Sequence, residues 1–131
     1  KLYDTQLNQV KCENCKIMGV NFNYCRKFLF EVSFLKCILD FGSFENMKMQ
    51  QTDFLDCSMK GVDLAGANLE KSKFLNTDLE DAIFMRTNLK EADFSTAYNF
   101  NISPTQNHMK KAIFSEANLA GLLNEFGLNI I

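Results

Sequence analysis

The sequence contains no Trp, one Pro, one His and six Gly among its 131 residues, and its 14 basic and 16 acidic residues leave a formal charge of −2. Each scarcity excludes something. A single His offers little for general acid–base catalysis or for a metal centre built on imidazole. The nearly balanced, slightly acidic charge argues against a protein that grips nucleic-acid phosphates, because that task needs clustered Lys and Arg. No apolar run approaches the roughly 20 residues of a membrane-spanning helix, and no signal-peptide pattern is visible. A length of 131 residues suits one core, and 47% apolar with 23% charged residues is ordinary for a folded chain. The expectation is one cytoplasmic, non-enzymatic domain that needs no cofactor or metal and contacts neither membrane nor nucleic acid directly. Against these scarcities stands one excess, 13 Phe beside 3 Tyr.

The excess is periodic. From Leu29 to Phe94 every fifth residue is Leu, Phe or Met, and two residues before each of these centres from Phe34 onward stands a small residue such as Cys37, Gly42, Thr52, Ala67 or Thr77, with Met47 the exception. Residues two apart point the same way on an extended segment, but the next inward residue then comes three later, which breaks the alternation of a strand. A helix fares no better, since five residues overshoot one turn by about 140°. The chain must therefore turn a corner in every repeat. If each corner is about a right angle, four repeats close a square coil, and coils stack by parallel pairing about 4.8 Å apart. The columns support this: Phe34, Phe54, Phe74 and Phe94 share one, Leu29, Met49, Leu69 and Leu89 a second, Leu39, Met59 and Leu79 a third, and Phe44, Leu64 and Phe84 a fourth.

Both ends depart from the pattern. Leu2, Leu7, Cys12, Ile17 and Phe22 keep the period two residues out of phase, so a two-residue insertion is expected between Cys25 and Leu29, as a bulged corner around Arg26 to Phe28. Leu2 is already in register, which predicts a first coil without a cap. The run fails at Asn99, and residues 101–111, with the only Pro and the only His, read as a loop. The repeat is expected to resume in Ala112-Ile113-Phe114 and Ala117-Asn118-Leu119. Beyond it, Leu122, Leu123 and Phe126 form a helical stripe that Gly127 can stop, ahead of an apolar tail from Leu128 to Ile131. The expected organisation is a solenoid over residues 1–119, interrupted by the loop, and a capping or dimerisation helix with its tail over residues 120–131.

The triplets Ala67-Asn68-Leu69, Thr77-Asp78-Leu79, Thr87-Asn88-Leu89, Ala92-Asp93-Phe94 and Ala117-Asn118-Leu119 resemble the A(D/N)Lxx motif of pentapeptide-repeat proteins. The resemblance implies an all-β fold, the right-handed quadrilateral β-helix; the handedness comes from the resemblance alone. The ending from Ala120 to Ile131 is similar to the C-terminal helix and strand of the quinolone-resistance (Qnr) branch. That likeness implies a homodimer through the C-terminus, with Leu122, Leu123, Phe126, Leu128, Ile130 and Ile131 at the interface. It also implies a partner, the bacterial type II topoisomerase DNA gyrase, met by a rod that imitates DNA. One small insertion and one late loop stand where many members of that branch carry two larger projecting loops.

Candidate surfaces follow from the register. Asp53, Asp56, Asp78, Glu80, Asp81 and Asp93 fall on two adjacent walls and would form an acidic patch, although Lys36, Lys60 and Lys73 share those walls and a net charge of −2 is weak for a duplex mimic, which favours a solvated mixed face. Leu35, Leu55 and Leu75 stack at coil spacing on the outside, and Phe28 and Phe30 extend them towards the inserted corner; contiguous exposed apolar surface marks a partner site. The alternative is a structural scaffold that uses this stripe without any topoisomerase activity. Cys12, Cys15 and Cys25 hint at zinc, but Cys15, Cys37, Cys57 and Thr77 share a column that wants small residues, so packed, reduced thiols are expected. His108 with Ser103 and Ser115 lacks an acidic orienter and reads as a solvated loop histidine.

Overall fold

The structure is a computed structural model that describes residues 10–24 and 32–131. Four short strands stack in chain order as one parallel sheet: β1 (Val10–Glu13), β2 (Val32–Leu35), β3 (Asp53–Leu55) and β4 (Lys73–Leu75). Phe34 lies in register with Phe54, and Phe54 with Phe74, so each coil takes twenty residues. Single parallel bridges such as Ser43↔Asp63↔Ile83 and Lys48↔Asn68↔Asn88 continue the pairing on the other sides. The coil thus has four walls: wall 1 carries the strands, wall 2 centres on Leu39, Met59 and Leu79, wall 3 on Phe44, Leu64 and Phe84, and wall 4 on Met49, Leu69 and Leu89.

The corners account for the period of five. Two residues after each centre from Phe34 to Leu89 the backbone turns left-handed, with φ between 52° and 63° at the non-glycine residues, among them Lys36, Phe41, Asn46, Gln51, Lys71 and Arg86. The next N–H then closes a turn on the centre's carbonyl, as in Met47 N to Phe44 O at 3.1 Å and Ser72 N to Leu69 O at 3.0 Å. Gly66 fills one corner where φ is 69° and where a Cβ would collide with the Asn46 side chain one coil below. Leaving wall 1, the carbonyls find side-chain donors instead: Cys37 Sγ donates to Cys12 O at 3.1 Å, Cys57 Sγ to Phe34 O at 3.5 Å, and Thr77 Oγ1 to Phe54 O at 3.0 Å.

The motif's middle residue has an equally local cause. One residue after the centre, an N–H turns away from the ladder, and the Asp or Asn two residues earlier accepts it: Ala65 N bonds Asp63 Oδ1 at 2.9 Å, Glu70 N bonds Asn68 Oδ1 at 3.1 Å, and Ser95 N bonds Asp93 Oδ1 at 2.9 Å. Such side-chain-to-backbone bonds are the usual service of Asx residues in turns.

Inside, phenylalanines form one continuous ladder. Phe34, Phe54, Phe74, Phe94 and Phe114 stack nearly parallel with centroids 4.8–5.2 Å apart, and rings of the neighbouring column meet them edge-on, as Phe44 meets Phe54 at 6.1 Å and 76°. Parallel coils fix the stacking distance, and edge-to-face contacts between columns fill the square section. The first coil obeys a shifted register: Val10 pairs with Val32 and Cys12 with Phe34, twenty-two residues apart, and Phe22 stacks on Phe44 at 4.4 Å. The two extra residues therefore lie between Phe22 and Val32. Arg26 to Phe28, the corner expected to hold them, lies outside the described residues, as does Leu2.

The far end differs from the expectation in two ways. The supposed loop over residues 101–111 is already back in register at His108, which bridges to Asn88, and Asp93 bridges to Ile113. The detour begins at the wall 2 centre, where exposed Asn99 gives way to buried Phe100, and runs along wall 3, where Ile102 also turns inward. Asn107 pins it, donating to Phe84 O at 3.1 Å and Ser103 O at 2.9 Å. The triplet Ala117-Asn118-Leu119 is not a repeat: it lies within a 3-10 helix, Glu116–Leu122, and Leu119 is exposed. Asn118 donates to Phe94 O at 2.9 Å and Ala97 O at 3.0 Å, taking the carbonyls that another coil would have used. A second 3-10 turn, Asn124–Phe126, follows and ends at Gly127 with φ 62°. The expected helix over 120–126 thus begins earlier and winds more tightly.

Candidate functional site

Walls 1 and 2 carry most residues singled out from the sequence. Leu35, Leu55 and Leu75 stand in strict register along the sheet, each half-buried because its neighbours above and below cover its flanks. The stripe ends at Ser95. Phe28 and Phe30, expected to extend it, lie outside the described residues.

The acidic residues divide by what their carboxylates do. Asp78 accepts from Glu80 N at 3.1 Å and from Asn99 Nδ2 at 3.1 Å, and its other oxygen lies 3.8 Å from Lys60 Nζ. Asp93 is committed to Ser95 N. Asp53 is half-exposed and stands in register with Lys73. Asp56, Glu80 and Asp81 are exposed, with Asp56 and Asp81 at left-handed corners. The exposed carboxylates therefore lie along the corners that bound wall 2, interleaved with the exposed Lys36 and Lys60.

The C-terminal residues also divide. Leu122 packs against the core, and Leu123 is half-buried. Phe126, Leu128 and Ile130 are each more than half exposed, and so is Ile131 at the end of the chain. Capping accounts for the first pair and leaves the remaining four uncovered.

The thiols behave as packing residues. Burial pushes Cys57 up to about 11, and desolvation, with Cys15 and Cys37 adding, pushes Cys12 to about 11; burial also raises Cys37. Reactive and metal-ligating cysteines need the opposite shift. Cys12, Cys15, Cys37 and Cys57 are free thiols, and no group of three His, Cys, Asp or Glu suited to a metal occurs among the described residues. Cys25 lies outside them. Ser103 Oγ is engaged by Glu125 Oε1 at 2.7 Å rather than by His108.

One feature escaped sequence reasoning. Where walls 3 and 4 meet, the detour opens a cleft of about 640 Å³ lined by Met85, Arg86, Asn88, Gln106, Asn107 and His108, with Thr105 at its rim. It arises from a departure from the repeat, so the periodic signal is silent about it; Pro104 is its only sequence mark.

Comparison with known proteins bears on this architecture. Residues 27–98, more than half of the chain, match the family described as pentapeptide repeat region. The chain belongs to the pentapeptide-repeat family. Its fold is similar to that of a trypsin-treated variant of QnrB1, with a TM-score of 0.83 at 11% identity, covering 99% of this chain and 62% of that one. This pentapeptide-repeat chain thus spans less than two thirds of the QnrB1 chain it matches. Other solved members include HetL from the cyanobacterium Nostoc sp. strain PCC 7120, at a TM-score of 0.44 and 15% identity, covering 94% of this chain and 90% of that one. A protein of the Arabidopsis thaliana thylakoid lumen matches at 0.44 and 17%, covering 83% and 61%. Comparison with curated protein sequences gives no match. No helix among the described residues is long and apolar enough to cross a membrane.

Proposed function

We propose that this pentapeptide-repeat chain is a non-catalytic binding protein of the Qnr type, a homodimer joined at its C-terminal ends that contacts DNA gyrase or a related type II topoisomerase. The observation that carries this reading is the likeness to QnrB1, a plasmid-mediated fluoroquinolone resistance protein, which extends over 99% of the chain and so includes the C-terminal segment. The described residues add two supports. Asp56, Glu80 and Asp81 present negative charge along a rod-like stack of coils, which suits a surface that accepts duplex phosphates. Phe126, Leu128, Ile130 and Ile131 offer the uncovered apolar area that a twofold contact needs. Binding would rest on shape and charge complementarity, with no bond made or broken.

A second reading, a scaffolding solenoid without topoisomerase activity, is favoured by the registered Leu35, Leu55 and Leu75 on wall 1. A supercoiling assay with gyrase, with and without a fluoroquinolone, separates the two. The first reading expects supercoiling to persist in the presence of drug, or to be inhibited by the protein alone. No effect at high micromolar protein would leave the scaffold.

A further inference from the structure

We propose that the cleft between walls 3 and 4 binds a small phosphomonoester through Arg86 and His108. Four observations converge on it. First, the cleft's volume of about 640 Å³ falls inside the roughly 300–1,000 Å³ of small-molecule sites. Second, its polar lining is divided between framework and free donors. Asn107 is spent on Phe84 O, Ser103 O and Thr87 N, and Asn88 on Asn68 Oδ1 and Lys90 N. The side chains of Arg86, Gln106 and His108 are exposed at the cleft. Arg86 is the only arginine among the described residues, and its guanidinium takes part in no ion pair with any of them.

Third, no carboxylate lines the cleft. The nearest one attached to the detour, Glu125, is held by Ser103 Oγ at 2.7 Å and Thr105 Oγ1 at 3.3 Å. Beyond the rim, wall 4 carries Lys48, Lys71, Lys90, Lys110 and Lys111 against Glu70 and Glu91, a net positive wall in a chain whose net charge is −2. Fourth, the backbone that carries the donors is held in place. The Arg86 backbone is fixed at φ 52° with its N–H on Gln106 O at 2.9 Å, and the His108 N–H is on Thr87 O at 3.0 Å.

These features select the ligand's chemistry. A guanidinium fork matches two oxygens of one phosphoryl group, and a second donor from His108 matches the third. A singly charged carboxylate would leave one of them unused. Met85, exposed beside Arg86, gives the organic part of the ligand an apolar seat. The cleft is open to solvent and is lined by residues of two adjacent coils only, a footprint that suits a small molecule.

The single histidine makes the test direct, because its ring protons are one resolved pair in a proton NMR spectrum. Titration with glucose 6-phosphate is expected to shift the His108 signals saturably, glucose is expected to leave them in place, and inorganic phosphate is expected to compete. Arg86→Gln should weaken glucose 6-phosphate at least about tenfold by removing the bidentate partner, with an unchanged unfolding midpoint; Lys48→Gln, on the same wall but two coils away, should change it less than about twofold. No saturable shift by about 20 mM ligand, equal shifts with glucose, unchanged affinity in Arg86→Gln, or a response confined to a DNA oligonucleotide would each overturn the proposal.

Discussion

The column of Cys37, Cys57 and Thr77 shows how a single side chain is chosen by a corner. Each must be small enough for the inner slot and must give a hydrogen to a carbonyl one coil below, which a thiol does weakly and a hydroxyl well. Cys57→Thr should therefore keep the bond to Phe34 O, as Thr77 does for Phe54, and change stability at neutral pH by less than about 1 kcal/mol. The two proteins part at high pH. A thiol raised on folding from 9.0 to about 11 favours the folded state fully below pH 9 and loses that contribution as pH rises towards 11. Denaturant midpoints followed over that window should fall further in the wild type than in Cys57→Thr; parallel profiles would contradict the assignment. The sequence alone made the size requirement of this column legible, because size recurs every twenty residues. It left the donor requirement hidden, since Cys, Thr and Ala all satisfy size.

At the scale of elements, the walls were legible and the cap was not, for one physical reason. A wall repeats its constraints, so Phe34, Phe54, Phe74 and Phe94 announce the column together, whereas the cap meets each of its constraints once. Asn118 reads as a repeat residue because it performs a related task, satisfying the Phe94 and Ala97 carbonyls, yet it does so from a 3-10 helix. Phe100 likewise left the register of five by one residue and still reached the core. What holds the cap is the close approach at Gly121, whose carbonyl accepts from Ile102 N at 2.9 Å and where a Cβ would run into the Phe100 ring and carbonyl. Gly121→Ala should accordingly lift the 3-10 helix off Phe100 and cost about 1–3 kcal/mol, the usual cost of overpacking. Amide hydrogen exchange should show Ile102 losing protection while Phe54 and Phe74 keep theirs. Protection unchanged at Ile102 would mean that the cap does not depend on this contact.

For the whole molecule, a stack of coils leaves two ends to be dealt with, and the C-terminal end is covered by Leu122 while Phe126, Leu128, Ile130 and Ile131 remain outside. If those four join two copies, sedimentation at micromolar concentration should find a dimer in the wild type and a monomer in the Phe126→Ser, Ile130→Ser double variant; a wild-type monomer would count against the contact. The candidate partner surface was only partly legible. Register alone placed Asp56, Glu80 and Asp81 outside, but the engagement of Asp78 and Asp93 with wall backbone, which removes them from it, depends on Asx turns that the periodic pattern does not distinguish from free carboxylates. The central claim is that the rod occupies a site on gyrase that duplex DNA would otherwise fill, and the most direct measurement is displacement of a fluorescent DNA duplex from gyrase by this protein, followed by anisotropy. The account predicts competitive displacement, weakened when Asp56, Glu80 and Asp81 are all replaced by their amides and steeper at low salt. Undiminished duplex binding at high micromolar protein would contradict it.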